Sequence, residues 1–278
     1  MRKTSRWTQM IVYIRKNARL FKNQKDWKFI VIAAVISFLV CMIVGDKMFE
    51  SFEGTQSGFF AIISAAIWIG IFNSIQRICK EHETITSEYR AGLHITSYIM
   101  SHVVFDFAVC FAQALILSGI CYVFIDFPKD GIIFYNSMFE YFITFFLVIW
   151  CSDILGIMVS SVSSTPNVAM TAMPFVLILQ LIMSGVLFKL QGWSETVANI
   201  TYSKWGIFAL GSISDLNSIE LRILVEHPDL ANLLEREIQE TYEHTSSNLL
   251  TDWAYILIIA AVCIVISIVS LKIRNRNA

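Results

Sequence analysis

The side chains best suited to chemistry lie inside long apolar segments. Asp106 and Asp153 are carboxylates in such segments, and His102 precedes Asp106 by one helical turn. A carboxylate in the membrane costs at least about 2.5–3.5 kcal/mol on insertion scales, so each must face protein or water. The pair could serve a proton or cation relay, or neighbouring Ser, Thr or His side chains could satisfy each carboxylate. We favour the structural interpretation, with His102 as a local partner of Asp106, because a relay usually needs a ladder of ionisable residues.

Several enzyme motifs are absent from the chain. No Gly-Lys dipeptide occurs, which excludes a phosphate-binding loop of the form G-x-x-x-x-G-K-[ST], and no G-x-S-x-G turn occurs. The segment from His82 to Thr86 begins like a zinc-protease helix but has threonine where the second histidine ligand must stand. We therefore predict no catalytic residue, no metal site and no cofactor in this chain, and no nucleic acid as a partner.

The composition is that of a membrane protein. The 278 residues are 56% hydrophobic and 15% charged, whereas a soluble domain is roughly 45–50% apolar with about 25% charge. Five of the six cysteines lie within apolar runs and Cys79 lies at the edge of one, so we expect neither disulfides nor a metal cluster. The basic region before the first apolar run is too long for a cleavable signal peptide.

The apolar residues form six runs, which predict an all-α membrane protein with six transmembrane helices in a single domain, residues 1–278. Each run reaches the ~20 residues needed to cross a ~30 Å hydrocarbon core. The predicted spans lie near residues 29–48, 58–78, 98–125, 139–162, 168–188 and 253–272.

Residues 1–28 form a basic segment ahead of the first span. Apolar residues recur there at helical spacing, from Trp7 to Phe21, and form one stripe. This pattern predicts an amphipathic helix that lies flat at the inner headgroup layer. Its cations would face anionic lipid or a partner.

The distribution of cations predicts the orientation of the spans. Fifteen Lys and Arg residues lie on the side of the two termini and six on the other, so both termini should be cytoplasmic. Residues 189–252 then form the large extracytoplasmic segment. Its first half is too short and too polar to cross the membrane, yet too apolar to lie free in water. This favours a pair of re-entrant or interfacial helices. Its second half is acidic and favours a small amphipathic cap.

A charged stretch, residues 77–93, separates the second and third apolar runs. It holds three cations and three carboxylates, too many for hydrocarbon. We predict a short cytoplasmic helix over residues 80–91, about 18 Å long, that ends at Gly92. Glu88 and Arg90 would point to different sides of it. Such a helix could dock a soluble partner; the alternative is an ordinary solvated connector.

Two further sets of residues allow two interpretations each. Phe175, Leu179 and Met183 recur at i, i+4 and i+8, which predicts either a lipid-facing or core stripe or an apolar pathway for an amphipathic substrate. Four amides in the spans would either line a pathway or form interhelical hydrogen bonds worth ~0.6 kcal/mol on average. The four amides are Asn73, Gln76, Gln113 and Gln180.

The order of these features resembles the membrane domain of G-subfamily ABC transporters, especially bacterial permeases of that type. The resemblance covers nearly the whole chain and begins with Gln9 to Asp26, which is similar to that family's connecting helix. Lys204 and Trp205 depart from the usual Arg-Tyr-Gly signature of its re-entrant helices, although they keep the charge and the ring. The other matching segments are Asn73 to Ile75, Arg77, Lys80-Glu81, Glu88 to Leu93, Ser97-Tyr98, Asp106, Gln180, Ser184 to Phe188 and Lys204 to Leu210.

The resemblance implies a permease that exports an amphipathic or hydrophobic substrate by alternating access. Such a permease pairs with a second copy or a homologue and with two cytoplasmic ATP-binding ABC subunits, which hold ATP and Mg. Because this chain has no phosphate-binding loop, the ATPase would be a separate chain, as in bacterial members, and the location would be the bacterial plasma membrane.

The resemblance also implies roles for individual residues. An outer gate falls on Val186 and Leu187, and the re-entrant helices carry Lys204, Trp205 and Gly206. The ATPase-coupling residues would be Arg77, Lys80, Glu81, Glu83, Glu88, Tyr89, Arg90 and Gly92. The translocation pathway would include Ile69, Phe72, Asn73, Phe175, Leu179 and Met183.

Three other function classes are open on the sequence alone. A membrane enzyme would use Asp106, Asp153 and His102. An ion-coupled secondary transporter usually shows inverted repeats and broken helices at the midplane, which we do not find. A ligand-binding membrane scaffold would use the acidic outer segment. An ATP-binding subunit that co-purifies with the chain would favour the permease.

Overall fold

The computed structural model describes residues 5–45, 48–188, 190–219 and 239–276, and these contain helices and connections but no strand. The all-helical prediction is therefore confirmed for the described residues. In chain order the helices are α1 (Arg6–Asn23), α2 (Lys28–Val44), α3 (Phe52–Ser74), α4 (Arg77–Lys80), α5 (His82–Arg90), α6 (Ile95–Phe124), α7 (Ser137–Val162), α8 (Pro166–Ile182), α9 (Trp193–Ala198), α10 (Tyr202–Ile213), a 3-10 turn (Glu240–Tyr242) and α11 (Ser246–Arg276).

Side-chain caps fix where several of the long helices begin. Ser51 Oγ accepts a hydrogen bond from the Gly54 N–H at 3.1 Å at the start of α3. Asn136 does the same for the Met138 N–H at 2.9 Å at the start of α7. Each cap satisfies a backbone donor that the first helical turn cannot pair internally.

Four helical segments of the described chain are long and apolar enough to cross a membrane: α3 with α4, α6, α7 and α11. A fifth is possible if α1 and α2, which meet at a bend of 69°, count as one broken span. α2 and α8 have 17 residues each, about 25 Å of helix, somewhat less than a ~30 Å hydrocarbon core. The chain is an integral membrane protein with four to five candidate spans, and the six-span arrangement stays a prediction.

The predicted fifth span, residues 168–188, is shorter in the structure. Helix α8 ends at Ile182, and Gly185 follows with a φ of 84°. This left-handed conformation favours glycine and turns the chain away from the helix axis. Val186 and Leu187 therefore lie beyond the end of α8 rather than on its last turn.

Helix α7 lies at the centre of the bundle, where it packs against α3, α6 and α11. Close approach to α3 depends on small residues, since an added Cβ at Gly70 or Gly156 would clash with the neighbouring helix. Two serine hydroxyls cross the same interface to backbone carbonyls: Ser152 to Ile67 and Ser74 to Asp153, both at 2.6 Å. This central pair fixes where the flanking helices emerge.

The segment predicted as extracytoplasmic, 189–252, is described in part. Helices α9 and α10 occupy its first half, and α10 packs against α3, α7 and α11. The predicted acidic cap falls mostly on residues 220–238, which lie outside the described residues, as does Lys189.

Candidate functional site

Helix α5 lies between the end of the α3–α4 segment and the start of α6, and it has a buried and an exposed side. Ile85 is fully buried in a small apolar cluster with Tyr98, Ile157 and Leu271. The exposed side carries polar and charged side chains. A helix with this division can rest on the bundle and still offer a charged surface.

The end of α5 follows the predicted stop signal. Gly92 has a φ of 105°, its N–H donates to the Tyr89 carbonyl at 3.0 Å, and the Leu93 N–H donates to the Glu88 carbonyl at 2.9 Å. This pair of bonds is a Schellman motif, which favours glycine at the left-handed position. The prediction that Gly92 ends the helix is confirmed.

The start of α5 differs from the prediction. The expected continuous helix over residues 80–91 is broken at Glu81, so α5 has nine residues and is about 13 Å long rather than 18 Å. The Glu81 carboxylate accepts from the Tyr98 hydroxyl at 2.9 Å and from Lys16 Nζ at 3.2 Å. These two long-range contacts hold Glu81 at the corner between α4 and α5.

Helix α5 is held on two sides by a set of side-chain contacts that we call the clasp: Tyr13 and Lys16 of α1 on one side and Asn275 of α11 on the other. The contacts from α1 are as follows. The Tyr13 hydroxyl donates to the Glu88 carboxylate, and the ring of Tyr13 packs edge-on against Tyr98 with centroids 5.5 Å apart. Partial burial, followed by the bond to Glu88, raises the pKa of Tyr13 above its usual value of 10.0, so the phenol stays protonated and donates. Lys16 Nζ lies 5.3 Å from the centre of the same ring. Glu81 and Glu88 thus both face α1.

Gln9 joins α1 to the chain that follows α5. Its Nε2 donates to the Gly92 carbonyl at 3.2 Å, and its Oε1 accepts from the His94 N–H at 2.9 Å. One amide therefore pairs backbone groups on both sides of the turn between α5 and α6. This contact ties the position of α1 to the direction in which α6 begins.

The end of α11 forms the other side of the clasp. Thr86 donates to Asn275 Oδ1 at 2.8 Å, and Arg274 donates to the carbonyls of Ser163 and Ser164 at 2.7 and 3.0 Å. Partial burial, followed by the positive charge of Arg274, lowers the pKa of His82 below its usual value of 6.5. Helix α5 is therefore held by α1, α6 and α11 together.

The exposed side of α5 and its flanks carry the residues that a partner could reach. Of the eight predicted coupling residues, Glu81, Glu88 and Tyr89 are half-buried toward the bundle. The exposed positions are Lys80, Glu83, Thr84, Ser87, Arg90, Ala91 and Gly92. Glu88 and Arg90 do lie on different sides.

Arg77 differs from the other predicted coupling residues. Its guanidinium pairs with the fully buried carboxylate of Asp106 and donates to the Asn73 carbonyl at 2.8 Å. The expected pairing of His102 with Asp106 is wrong, because His102 Nδ1 instead lies 3.3 Å from Asn17 Nδ2. An arginine on the neighbouring helix neutralises the carboxylate more completely than a histidine on the same helix could.

Two polar groups near this ion pair complete the buried network. Asn73 and Gln113 exchange hydrogen bonds through their amides, at 2.8 and 3.0 Å. Of the two roles that the sequence allowed for these amides, the contacts match the interhelical hydrogen bond. Asp153 is fully buried beside Asp106 and Arg77. Its carboxylate oxygens have no hydrogen-bond partner among the described residues.

A cavity of about 300 Å³ opens beside the network. Phe72, Asn73 and Arg77 line it from the α3–α4 segment, and Met170 lines it from α8. Asn17 and Asp26 close it from the side of α1 and its linker. Polar and apolar groups thus share one cavity near the clasp.

The six predicted pathway residues differ in their exposure to solvent. Ile69 and Asn73 are buried, whereas Phe175 and Leu179 are 71% and 48% exposed on α8. The exposed side of α8 continues through Ile178 and Ile182. Such an apolar face on a membrane helix meets lipid or another membrane chain.

The predicted outer gate lies at the rim of a second cavity, of about 850 Å³. Val186 packs partly against the main core, whereas Leu187 is 52% exposed. Lys204 and Gln56 also line this cavity.

The predicted re-entrant signature lies on α10. Lys204 Nζ donates to Asn199 Oδ1 at 2.8 Å, and the ring of Trp205 stacks on Tyr255 with centroids 3.9 Å apart. An added Cβ at Gly206 would lie 2.8 Å from Val148, so glycine lets α10 approach α7. These contacts anchor α10 to the bundle.

The residues that hold α5 were not predicted from the sequence. Gln9, Tyr13, Lys16 and Asn17 lie on one side of α1, at helical spacing, and face the bundle. The apolar stripe was the stronger signal, yet Trp7 is 72% exposed. The regular spacing of these polar side chains was the available sign of a second, buried face.

Comparison with known proteins gives one positive result. The family model described as ABC-2 type transporter matches residues 8–213. No curated protein matches the chain significantly. The matched range includes α1 through α10 and therefore the whole of α5 and its contacts with α1 and α6.

Proposed function

The chain belongs to the ABC-2 type transporter family, and from this premise we propose that it is the permease subunit of an ATP-driven exporter. Family membership makes the chain a membrane permease domain, and its sequence has no phosphate-binding loop. ATP and Mg would therefore bind to a separate ATP-binding subunit. We propose α5 as the surface on which that subunit docks.

The observation that carries this proposal is the clasp around α5. Its inner carboxylates, Glu81 and Glu88, are bonded to α1 and α6, while Thr86 is bonded to α11. A force applied to the exposed side is therefore passed to three helices at once. A solvated connector would not need partners from three elements.

The proposed assembly has six spans per chain, with α2 and α8 as the two short ones and both termini in the cytoplasm. The apolar face of α8, with Phe175 and Leu179 exposed, would meet a second copy or a homologue across the transport pathway. The plasma membrane of a bacterium is the proposed location. An amphipathic or hydrophobic substrate fits this apolar lining.

We propose that export proceeds by alternating access along the α8 face. Phe72 and Asn73 would lie at the inner part of the route, and Met183 at its outer part. Val186 and Leu187 would close the exit, because they follow the turn at Gly185 where α8 ends.

The contacts of the buried polar residues speak against a membrane enzyme. The catalytic set of that alternative was Asp106, Asp153 and His102. Asp106 is paired with Arg77, and His102 is next to Asn17. Neither residue is placed to activate a substrate, so the permease accounts better for these contacts.

The test is purification in mild detergent of the chain with its ATP-binding subunit. Glu83→Lys and Arg90→Glu change the exposed side of α5, and Glu88→Lys breaks the bond to Tyr13. We expect all three to insert normally, the first two to lose the bound ATPase, and the third to hydrolyse ATP without transport.

Asp130→Lys is the matched control, because Asp130 is exposed on the connection between α6 and α7, far along the chain from α5. This variant should keep both the bound ATPase and transport. If the α5 variants assemble and transport like the control, α5 is not the docking surface.

A further inference from the structure

Cys41 and Cys121 lie side by side near corresponding ends of α2 and α6. Their Sγ atoms are 3.0 Å apart, and both side chains are fully buried. Each lies one turn before the end of its helix, at Val44 and Phe124. Residues 80 positions apart in the sequence are thus brought into direct contact.

Small residues bring these helix ends together. Ala33, Ser37 and Cys41 follow one another at intervals of four residues on the buried side of α2. At Gly45, the next position in the series, an added Cβ would lie 2.5 Å from the Phe124 carbonyl oxygen. This packing explains the close approach, and the sulfur contact adds a chemical consequence to it.

The two sulfurs are too few to hold a metal ion. A structural zinc site takes four ligands, whereas the described residues contain no group of three or more His, Cys, Asp or Glu side chains that could hold a metal.

A covalent bond does fit. A disulfide has an S–S distance of about 2.05 Å, so the sulfurs need to approach by about 1 Å. Small rotations about the side-chain torsions supply that distance. We propose that Cys41 and Cys121 are a redox pair that forms an intramolecular disulfide between α2 and α6.

The reaction is an exchange with an oxidised small-molecule disulfide. One cysteine loses its proton and its thiolate attacks the oxidant, which forms a mixed disulfide and releases one half of the oxidant as a thiol. The second cysteine then attacks the mixed disulfide at the sulfur of the first cysteine and releases the other half of the oxidant as a thiol. The two cysteines lose two protons and two electrons, and the oxidant becomes two thiols. Fraying of one helical turn exposes the pair, since each cysteine lies about 4.5 Å along the axis from its helix end.

The proposal departs from the expectation that the six cysteines form no disulfide, and all six thiols are free in the structure. Position within an apolar run was the reason for that expectation. Both cysteines are indeed in apolar helices, but they lie near the ends rather than at the midplane. If the proposed orientation is correct, these ends face the extracytoplasmic side, where disulfides form and persist.

The disulfide would act as a redox-controlled restraint, and this part rests on the proposed function. α2 follows α1, and α6 follows α5. A bond at the far ends would limit movement of α2 relative to α6 when the docking surface moves. Oxidation should therefore lower transport, and reduction should restore it.

The test counts thiols in the full chain, reconstituted in nanodiscs and treated with oxidised glutathione or with dithiothreitol. After denaturation, thiols are tagged with a maleimide of high mass. The oxidised parent should carry two fewer tags than the reduced parent. Cys41→Ser should never lose two tags, because Cys121 alone can lose at most one tag, as a mixed disulfide with glutathione.

Cys110→Ser is the matched control, because Cys110 is also fully buried but has no sulfur partner among the described residues. It should still show the difference of two tags. Equal counts in the oxidised and reduced parent would overturn the disulfide. A difference of two tags with unchanged transport would overturn only the restraint, and the count itself does not depend on the chain being an exporter.

Discussion

Arg77 neutralises a carboxylate that would otherwise lie unpaired in the membrane-spanning part of the chain. Asp106 is fully buried from solvent and pairs with this guanidinium. Breaking a buried pair from one side leaves an uncompensated charge, which costs about 3–5 kcal/mol. Asp153 has no such partner, so its loss leaves no cation behind.

We predict different outcomes for the two carboxylates. Asp106→Asn should lower the melting temperature of the detergent-purified chain markedly, because Arg77 then remains buried and charged without its partner. Asp153→Asn should melt close to the parent. Removing both charges, with Arg77→Met and Asp106→Leu together, should recover most of the loss.

Thermal unfolding measured by intrinsic fluorescence checks these values. Similar melting of Asp106→Asn and the parent would show that the ion pair does not support the fold. Loss of transport together with its pH dependence, in a variant that folds normally, would instead make Asp106 a proton carrier.

His82 makes the contact between α5 and α11 sensitive to pH. Its folded pKa lies below the unfolded value of 6.5, because burial and Arg274 disfavour the charged form. The unfolded state therefore binds more protons in this range, and stability falls as the pH drops below about 6.5. Hydrogen exchange of the α5 amides, corrected for the intrinsic effect of pH on the exchange rate, should be faster at pH 5.5 than at pH 7.5.

The matched variant is His82→Gln, which removes the titrating group but keeps a polar side chain. Its α5 exchange, corrected for the intrinsic pH effect, should be nearly independent of pH over this range. Equal pH dependence in the variant and the parent would assign the effect to another group.

At the scale of elements, α5 is positioned by helices that are distant in the sequence. α1 supplies Tyr13 and Lys16, and α11 supplies Asn275. The helix has only nine residues, and isolated helices of that length are marginal in water. The clasp therefore provides most of what keeps α5 folded.

Tyr13→Phe tests the clasp with the loss of one hydroxyl. The charged Glu88 carboxylate then loses a hydrogen-bond donor, and a hydrogen bond to a charged group is worth about 1.5–3 kcal/mol. We expect the ratio of transport to ATP hydrolysis to fall in the reconstituted complex, while the ATPase stays bound. Val12→Ala, on the exposed side of α1, should leave the ratio unchanged; an equal fall in both variants would rule out a specific role for the hydroxyl.

The sequence predicted α5 because its charge density and Gly92 are local signals. It did not predict the break at Glu81 or the partners of Glu88, because these depend on contacts 65 and 75 residues away. The wrong partner for Asp106 has the same origin. Helical spacing pointed to His102, whereas packing of α3 against α6 brings Arg77 closer.

At the scale of the whole molecule, the apolar face of α8 is exposed in the described part of the chain, and we predict that a second chain completes the pathway there. Phe175, Leu179 and Leu187 would all lie on a surface shared with a second chain. The hydropathy pattern predicted the stripe but could not indicate what covers it, since lipid and a partner both favour apolar side chains. The gate is therefore a property of the proposed assembly.

Val186→Ala with Leu187→Ala should open the outer exit. We expect faster ATP hydrolysis without substrate, or leakage of a small dye from proteoliposomes, because two branched side chains are removed from the constriction. Val265→Ala, on the exposed side of α11 and outside the proposed pathway, is the control. Unchanged hydrolysis and leakage in the double variant would place the constriction elsewhere.

From the exposed apolar side of α1 we predict a mechanical role for the bilayer. Trp7, Ile11 and Val12 point away from the described part of the chain, while Tyr13 and Lys16 on the same helix hold the carboxylates of α5. Membrane tension or a change in lipid headgroup charge would shift this helix and thereby reposition α5. The rate of ATP hydrolysis by the reconstituted complex, at a constant nucleotide concentration, would then vary with the lipid composition of the nanodisc.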